Sequence, residues 1–266
     1  MKIKISAEGI SFKELNELIR NHLSNGAKEI ELYKVNGLRY IGSGLRCKDV
    51  TIKIYGTPGN DLGFVMDGLT IDVFGNTQDG VGNTMNNGKI IIHGDARDVL
   101  GYSMRGGKIF VKGSVGYRAG IHMKEYKENF PVIIIGNSVK DYCGEYMAGG
   151  KIIVLGLSGK QLNGKYLGTG MHGGSIYLRA DSTSYDKGER SHTLSNDVNV
   201  TTLVEKGRTE DELKLLRLEK KQLIEYLTEF CQHFSFSLED IIKNNFENFI
   251  KLVPLKTRPY KELYAI

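Results

Sequence analysis

The stretch GNTMNNGKIIIHG (82–94) decides how the rest of the chain is read. It runs glycine, two variable residues, Met, then a short β-type run closing on glycine nine residues after Met85. The Gly-x-x-Met core recurs at Gly63–Met66, Gly101–Met104, Gly120–Met123, Gly144–Met147 and Gly168–Met171. Six of the seven methionines occupy this slot, the seventh being Met1. The runs close on Gly75, Gly94, Gly113, Gly136, Gly156 and Ala180, and an earlier copy fits with Gly44, Cys47 in the Met slot and Gly56. From Gly56 onward the closing residues are spaced 19, 19, 19, 23, 20 and 24 apart. A fixed period near 20 marks a repeat architecture.

Counted back from each closing residue, the second and fourth positions are Ile54/Ile52, Val73/Ile71, Ile92/Ile90, Val111/Ile109, Ile134/Val132, Val154/Ile152 and Leu178/Ile176. Alternate residues of a strand share a face, so these pairs form an inward ladder. The methionines form a second ladder of pliable side chains. The Leu and Asn positions of a leucine-rich repeat are absent. Short strands with glycine at the corners describe a β-helix. The outward positions are mixed in early coils (Tyr55/Lys53, Phe74/Asp72, Lys112/Phe110), which predicts a solvated face. Later they become Ile135/Ile133 and Leu155/Ile153, a continuous apolar patch that predicts a cover over 132–135 and 152–155.

Residues 1–43 read as a strand–helix–strand cap, with Ser11 and Glu14 as a capping box and Asn25-Gly26 ending the helix. Residues 44–180 are the β-helix, and 181–266 are a polar loop, two helices and an extended tail. A strand is expected near 198–204. Thr209 caps the first of these helices, with Glu212 in the reciprocal place, and Ser237 starts the second, expected to run to about Leu252 before Pro254. The two helices are the nearest candidates to cover the apolar coils, or else they dock on another subunit.

Composition narrows the class. The chain has 266 residues, 33 glycines but 4 prolines, and a net charge of +5 that is spread rather than blocked. That balance suits a soluble protein and carries no nucleic-acid signature. The start (Met1-Lys-Ile-Lys-Ile) lacks the apolar core of a signal peptide, and no window approaches a membrane span. Three distant cysteines argue against a disulfide framework and for a cytoplasmic location.

The chemistry searched for has plain readings. Gly168–Gly173 matches the string G-x-G-x-x-G, but a strand rather than a helix is expected after it, so no dinucleotide site is assigned. Cys47, Cys143 and Cys231 read as packing residues. His93, His122 and His172 sit at outward positions without ligand spacing around them, so no metal site is assigned. Among Asp61, Asp67, Asp79, Asp95, Asp98, Asp141 and Glu145, four aspartates (61, 79, 98, 141) recur just before the Gly-x-x-Met core. Such a ladder suits either a carbohydrate-cleaving cleft or turn residues bonding backbone amides, and the second reading is preferred. No nucleophile elbow or P-loop is present. No catalytic, cofactor-binding or metal residue is assigned.

The segments GTPGNDLGFVMDG (56–68), GNTQDGVGNTMNNGKIIIHG (75–94), GYSMRGGKIFVKG (101–113), GYRAGIHMKEY (116–126), GEYMAGGKIIVLGL (144–157) and GTGMHGGSIYLR (168–179) resemble the C-terminal GXGXG domain of the glutamate synthase large subunit. The resemblance covers roughly 1–180 and, more loosely, the TRPYKELYAI tail. It implies a mainly β fold, a single-stranded right-handed β-helix of about seven coils with an N-terminal α/β cap and a C-terminal two-helix segment. In that family, glutamine hydrolysis uses an N-terminal cysteine, and reduction uses an FMN and iron–sulfur domain. Met1-Lys2 and the sparse cysteines match neither. The resemblance therefore implies a stand-alone scaffold subunit of a split glutamate synthase, with FMN and the iron–sulfur cluster in a partner subunit. Expected partners are amidotransferase and flavin-containing subunits. Similar coils in N-methylglutamate synthase and formylmethanofuran dehydrogenase leave the parent reaction open. A homo-oligomeric interaction module and a polysaccharide-acting enzyme are the remaining alternatives.

Overall fold

Eleven strands form one sheet in the order β1-β2-β3-β4-β5-β6-β7-β8-β9-β11-β10 in the computed structural model, which describes residues 1–159, 164–179 and 194–256. The closing residue Ala180, the first part of the crossing segment and the tail from 257 lie outside the described residues. The strands are β1 (Lys2–Ser6), β2 (Glu29–Asn36), β3 (Thr51–Thr57), β4 (Asp67–Phe74), β5 (Asn87–Ile92), β6 (Lys108–Val111), β7 (Val132–Ile135), β8 (Ala148–Val154), β9 (Gly173–Arg179), β10 (Val198–Thr202) and β11 (Phe249–Pro254). From β1 to β9 every pairing is parallel. From β2 to β9 each strand is linked to the next by a turn that carries the chain round to the following rung, so the sheet winds into a solenoid of about seven turns.

The register explains the spacing. Ile52, Ile71, Ile90, Ile109, Ile133, Ile152 and Ile176 face one another rung by rung. A second column runs Ile54, Val73, Ile92, Val111, Ile135, Val154 and Leu178. All fourteen are fully buried, and Met66, Met85, Met104, Met123, Met147 and Met171 fill the other side of the interior. The glycine of each Gly-x-x-Met core sits where these columns meet the turn. Gly120 has φ +70, and a Cβ there would come within 2.5 Å of Ile152 Cδ1. Only glycine suits both the left-handed backbone and the crowding.

One rung departs from the spacing. Counting back from Gly136 points Ile134 and Val132 inward, yet Ile133 and Ile135 pair with Ile109 and Val111 in the inner columns. Val132 and Ile134 face out and join a separate apolar cluster. The preceding coil carries an extra loop, closed by Tyr126 and Asn129, which shifts the phase by one residue. Four consecutive apolar residues buried on both faces show no alternation that would have revealed the slip.

The N-terminal segment adds β1, helix α1 (Phe12–Ser24) and β2, with Ser11 Oγ accepting from Glu14 N at 3.2 Å. α1 buries Leu15 and Ile19. At the other end, α2 (Glu210–Phe234) begins with a complete capping box between Thr209 and Glu212. The helix expected from Ser237 to about Leu252 is instead two single turns, α3 (Leu238–Ile241) and α4 (Lys243–Phe246), followed by β11. β11 pairs antiparallel with β9, and β10 pairs antiparallel with β11. Pairing with the open edge of the last parallel rung satisfies backbone groups that a helix would leave exposed, which outweighs the helical spacing of the apolar residues.

Candidate interaction surfaces

The recurring aspartates are structural brackets. Asp79 Oδ1 accepts from Asp98 N at 3.2 Å, and Asp98 Oδ1 accepts from Tyr117 N at 2.9 Å. Asp141 Oδ1 accepts from Lys165 N at 2.9 Å, and Asp95 Oδ1 accepts from Ser114 N at 2.7 Å. Asp61 Oδ1 accepts from Asn83 Nδ2 at 3.0 Å. Each bond joins one coil to the next, the arrangement that stacks the turns. Asp67 opens β4, where its backbone forms an isolated parallel bridge with that of Arg46, and Glu145 is buried against Arg118 Nε at 3.0 Å. An open groove of about 430 Å³ lies along Asp79, Asp95, Asp98, Arg97, Ser114 and Lys140.

The three histidines go to different surroundings. His93 stacks on Phe74 and its Nε2 lies 2.9 Å from Asp72 Oδ1. His122 stacks on Tyr146, and His172 Nδ1 lies 3.0 Å from Gly170 O. Among the described residues no group of three or more His, Cys, Asp and Glu is placed to hold a metal ion. The Gly168–Gly173 string leads straight into strand β9, so the helix N-terminus that a pyrophosphate would need is missing there.

The outer face of the sheet divides in two. Over β5 to β11 it is apolar and covered by the chain's own helix α2. Ile91, Phe110, Val132, Ile134, Ile153, Leu155 and Tyr177 pack with Leu216, Leu223, Leu227, Phe230 and Phe234. Phe110 was expected on a solvated face and is fully buried here. Along α2, Phe234 meets His93 edge-on, Phe230 meets Phe110, and Glu219 meets Tyr177 and Lys251. The helix thus crosses the rungs from β11 back to β5. About 15 residues at ~1.5 Å per residue span roughly 22 Å, close to five rung spacings of ~4.8 Å. Glu229 holds both Lys89 and Lys108 at this interface. Burial pushes its carboxyl up, but the two ammonium groups hold it below the ordinary value. Burial and the nearby Lys89 push His233 down. Over β1 to β4 no described helix covers the face, and Tyr33, Tyr55 and Phe74 stack in a column that ends on His93 beside Phe234, with centroids 4.8, 4.9 and 4.6 Å apart. Beside it Lys2, Glu29, Glu31 and Lys53 form a chain of ion pairs.

A second exposed region lies at the turn side of the coils. Tyr102, Tyr117, Tyr146 and Tyr166 are 39, 44, 45 and 43% exposed. Tyr142 stacks on Tyr166 with centroids 5.3 Å apart. The Arg118 guanidinium lies 5.5 Å from the Tyr142 ring, and Lys140 Nζ lies 4.8 Å from the Tyr117 ring. Sequence reading passed over this surface, although the repeat alignment carried a signal. Tyr142 and Tyr166 fall two residues before the core glycine, and Tyr146 falls just before the Met.

The model of the GXGXG-motif family matches residues 31–255, nearly the whole chain. The chain belongs to the GXGXG-motif family. This is the family found in the C-terminal domain of the glutamate synthase alpha subunit. The chain is also 42% identical, over 99% of its length and 97% of the relative's, to an uncharacterized protein of Methanocaldococcus jannaschii.

In this GXGXG chain the three cysteines do not suit an iron–sulfur cluster, which needs several thiolates converging on one point. Cys47 lies in the first coil, Cys143 is buried beside Gly144, and Cys231 is buried on α2. Burial pushes Cys143 up to about 12, so its thiol resists the deprotonation that ligation requires. No helix among the described residues is long and apolar enough to cross a membrane.

Proposed function

We propose that this GXGXG protein is a non-catalytic scaffold subunit of a split, cytoplasmic glutamate synthase, holding amidotransferase and flavin-containing subunits in register. The flavin and the iron–sulfur cluster then belong to a partner subunit. One observation supports this reading: the family model matches residues 31–255, and within its coils the Ile and Met columns fill the interior while the recurring aspartates bond one rung to the next. A rod of stacked rungs is stiff along its axis, because every coil is tied to its neighbours by strand pairing and side-chain brackets. Stiffness over several rungs suits a part that fixes the distance between two other bodies.

Co-expression tests it. The full chain is produced together with amidotransferase-type and flavoprotein-type chains of the same organism and purified through a tag on this chain alone. A stable ternary complex that converts glutamine and 2-oxoglutarate to glutamate, with activity lost when this chain is omitted, is the expected result. Full activity without this chain, or no association with either one, rejects the scaffold role.

A further inference from the structure

The outer face of the sheet is a step. Helix α2 lies over β5 to β11 as a second layer and stops at β5, where its last ring, Phe234, reaches His93. Ser235 closes the helix in the left-handed region, and Phe236 stacks back on Phe230. Over β1 to β4 no described helix follows, which leaves a shelf of four parallel strands one layer lower. A sheet packs face to face on another at ~10 Å, about the thickness of a helix layer, so a second sheet fills the step.

The shelf is its own complement. Ile30, Leu32, Ile52, Ile54, Ile71 and Val73 point into the interior, so the alternate residues point out. One outward row reads Lys4, Glu31, Lys53 and Asp72 on β1, β2, β3 and β4, the sign changing at every rung. The next row holds Tyr33, Tyr55 and Phe74, the last 39% exposed. Lys2 and Glu29 add one charge of each sign, so the shelf as a whole is neutral and offers nothing to a polyanion or a strongly charged partner. A twofold axis parallel to the strands, between β2 and β3, maps the charged row onto itself reversed. Lys4 then meets Asp72 of the second copy, Glu31 meets Lys53, and Tyr33 meets Tyr55. Each copy's α2 falls beyond the other's β1, inside the open step. A twofold along the rod instead sets Lys4 against Lys4 and α2 against α2. Within one copy Glu31 already has Lys2 at 2.7 Å, Glu29 has Lys53 at 3.0 Å, and Asp72 has His93, so covering the shelf leaves no acid unpaired.

We infer that the outer face of β1 to β4 is the interface on which a second copy of this chain packs, sheet on sheet, about a twofold axis parallel to the strands. Four strands ~4.8 Å apart and five residues at ~3.3 Å make a shelf of roughly 19 by 16 Å. That is a small interface, so the dissociation constant is expected at roughly 1–100 μM. The inference goes beyond the scaffold reading and does not depend on it.

Sedimentation velocity of the full chain, from about 1 to 200 μM, is run on wild type, Lys4→Glu, Asp72→Lys and the double variant. Wild type should form a dimer as concentration rises. Each single variant sets like charges against each other across the axis and should weaken the dimer at least about fivefold. The double variant exchanges the signs and should return to within about twofold of wild type. Within one copy Lys4 and Asp72 lie three rungs, ~14 Å, apart, beyond the ~8–10 Å screening length, so that rescue reports contact between copies. Lys4 is 66% exposed and tolerates the exchange, and urea midpoints check folding. Asp72→Asn, which removes only the charge, replaces Asp72→Lys if that variant does not fold, and should weaken the dimer in the same direction. A wild type that stays monomeric throughout overturns the inference, as does a dimer that the single variants leave unchanged. If the shelf variants weaken only the binding of an added amidotransferase-type or flavoprotein-type chain, the second-copy assignment falls. None of these results alters the scaffold reading, which co-expression decides.

Discussion

Glu229 on α2 lies 2.6 Å, through its Oε2, from the ammonium of Lys108 on β6, across 121 residues of intervening chain. The same carboxylate also meets Lys89 on β5. One residue thus fastens the covering helix to two rungs, at the border between the apolar face it shields and the face left to solvent. Replacing Glu229 with Gln leaves two partly buried ammonium groups without their counter-charge. We expect a loss of about 2–3 kcal/mol in urea unfolding. An unchanged midpoint would show that α2 is held by its apolar stripe alone.

Acidification should loosen the same junction. His233 sits between Phe110 and Phe234, facing Lys89, Glu229, Asp72 and His93, and its pKa is lowered from 6.5. A depressed folded pKa means that the unfolded chain binds the proton more readily. Its contribution is therefore complete above pH 6.5 and is lost as pH falls toward the folded value. Glu229, lowered from 4.5, adds a loss of the same sign below that pH. Stability should fall from pH 7 to pH 5 in the wild type and fall less in His233→Gln. Parallel pH profiles for the two proteins would refute the assignment.

Gly120→Ala places a Cβ 2.5 Å from Ile152 Cδ1 on a backbone with φ +70. Left-handed strain and overpacking together should remove about 2–4 kcal/mol. Ile152→Val deletes the clashing Cδ1, so the double variant should be less destabilised than the two single effects added. Strict additivity in that cycle would mean that crowding is not the cause.

Met123 is fully buried and fills the turn side of the interior. Met123→Ala should cost about 2–5 kcal/mol through the cavity it leaves, whereas Met123→Leu should cost under about 1.5 kcal/mol. Equal losses for the two would point to a role for the thioether beyond packing.

Periodicity was legible wherever the two faces of a strand meet different surroundings. On β3 to β6 the inward pairs stand out, because their outward neighbours include Lys53, Asp72 and Lys89. On β7 both faces are buried, alternation disappears, and the count from Gly136 slips by one residue. The second C-terminal helix was misread for a related reason. Apolar residues at 241, 242, 246, 249 and 250 suit a helix locally, but Phe249–Pro254 has an open strand edge beside it in the folded chain. The tyrosine–arginine corner was present in the repeat alignment, yet nothing local distinguishes an exposed tyrosine from a buried one.

By itself the sequence determined the stacked coils, the Ile and Met columns of the interior, and the glycines that no other residue can replace. These follow from local geometry: a strand alternates its faces every two residues, and a crowded left-handed turn admits only glycine. The tertiary structure decided the rung register at β7, the strand that closes the last coil, and the helix that covers the apolar half of the outer face. It also decided which tyrosines and arginines share one surface. Each of these depends on partners tens of residues away, such as Lys108 with Glu229 and Arg118 with Tyr142. Local propensity holds no information about partners at that distance.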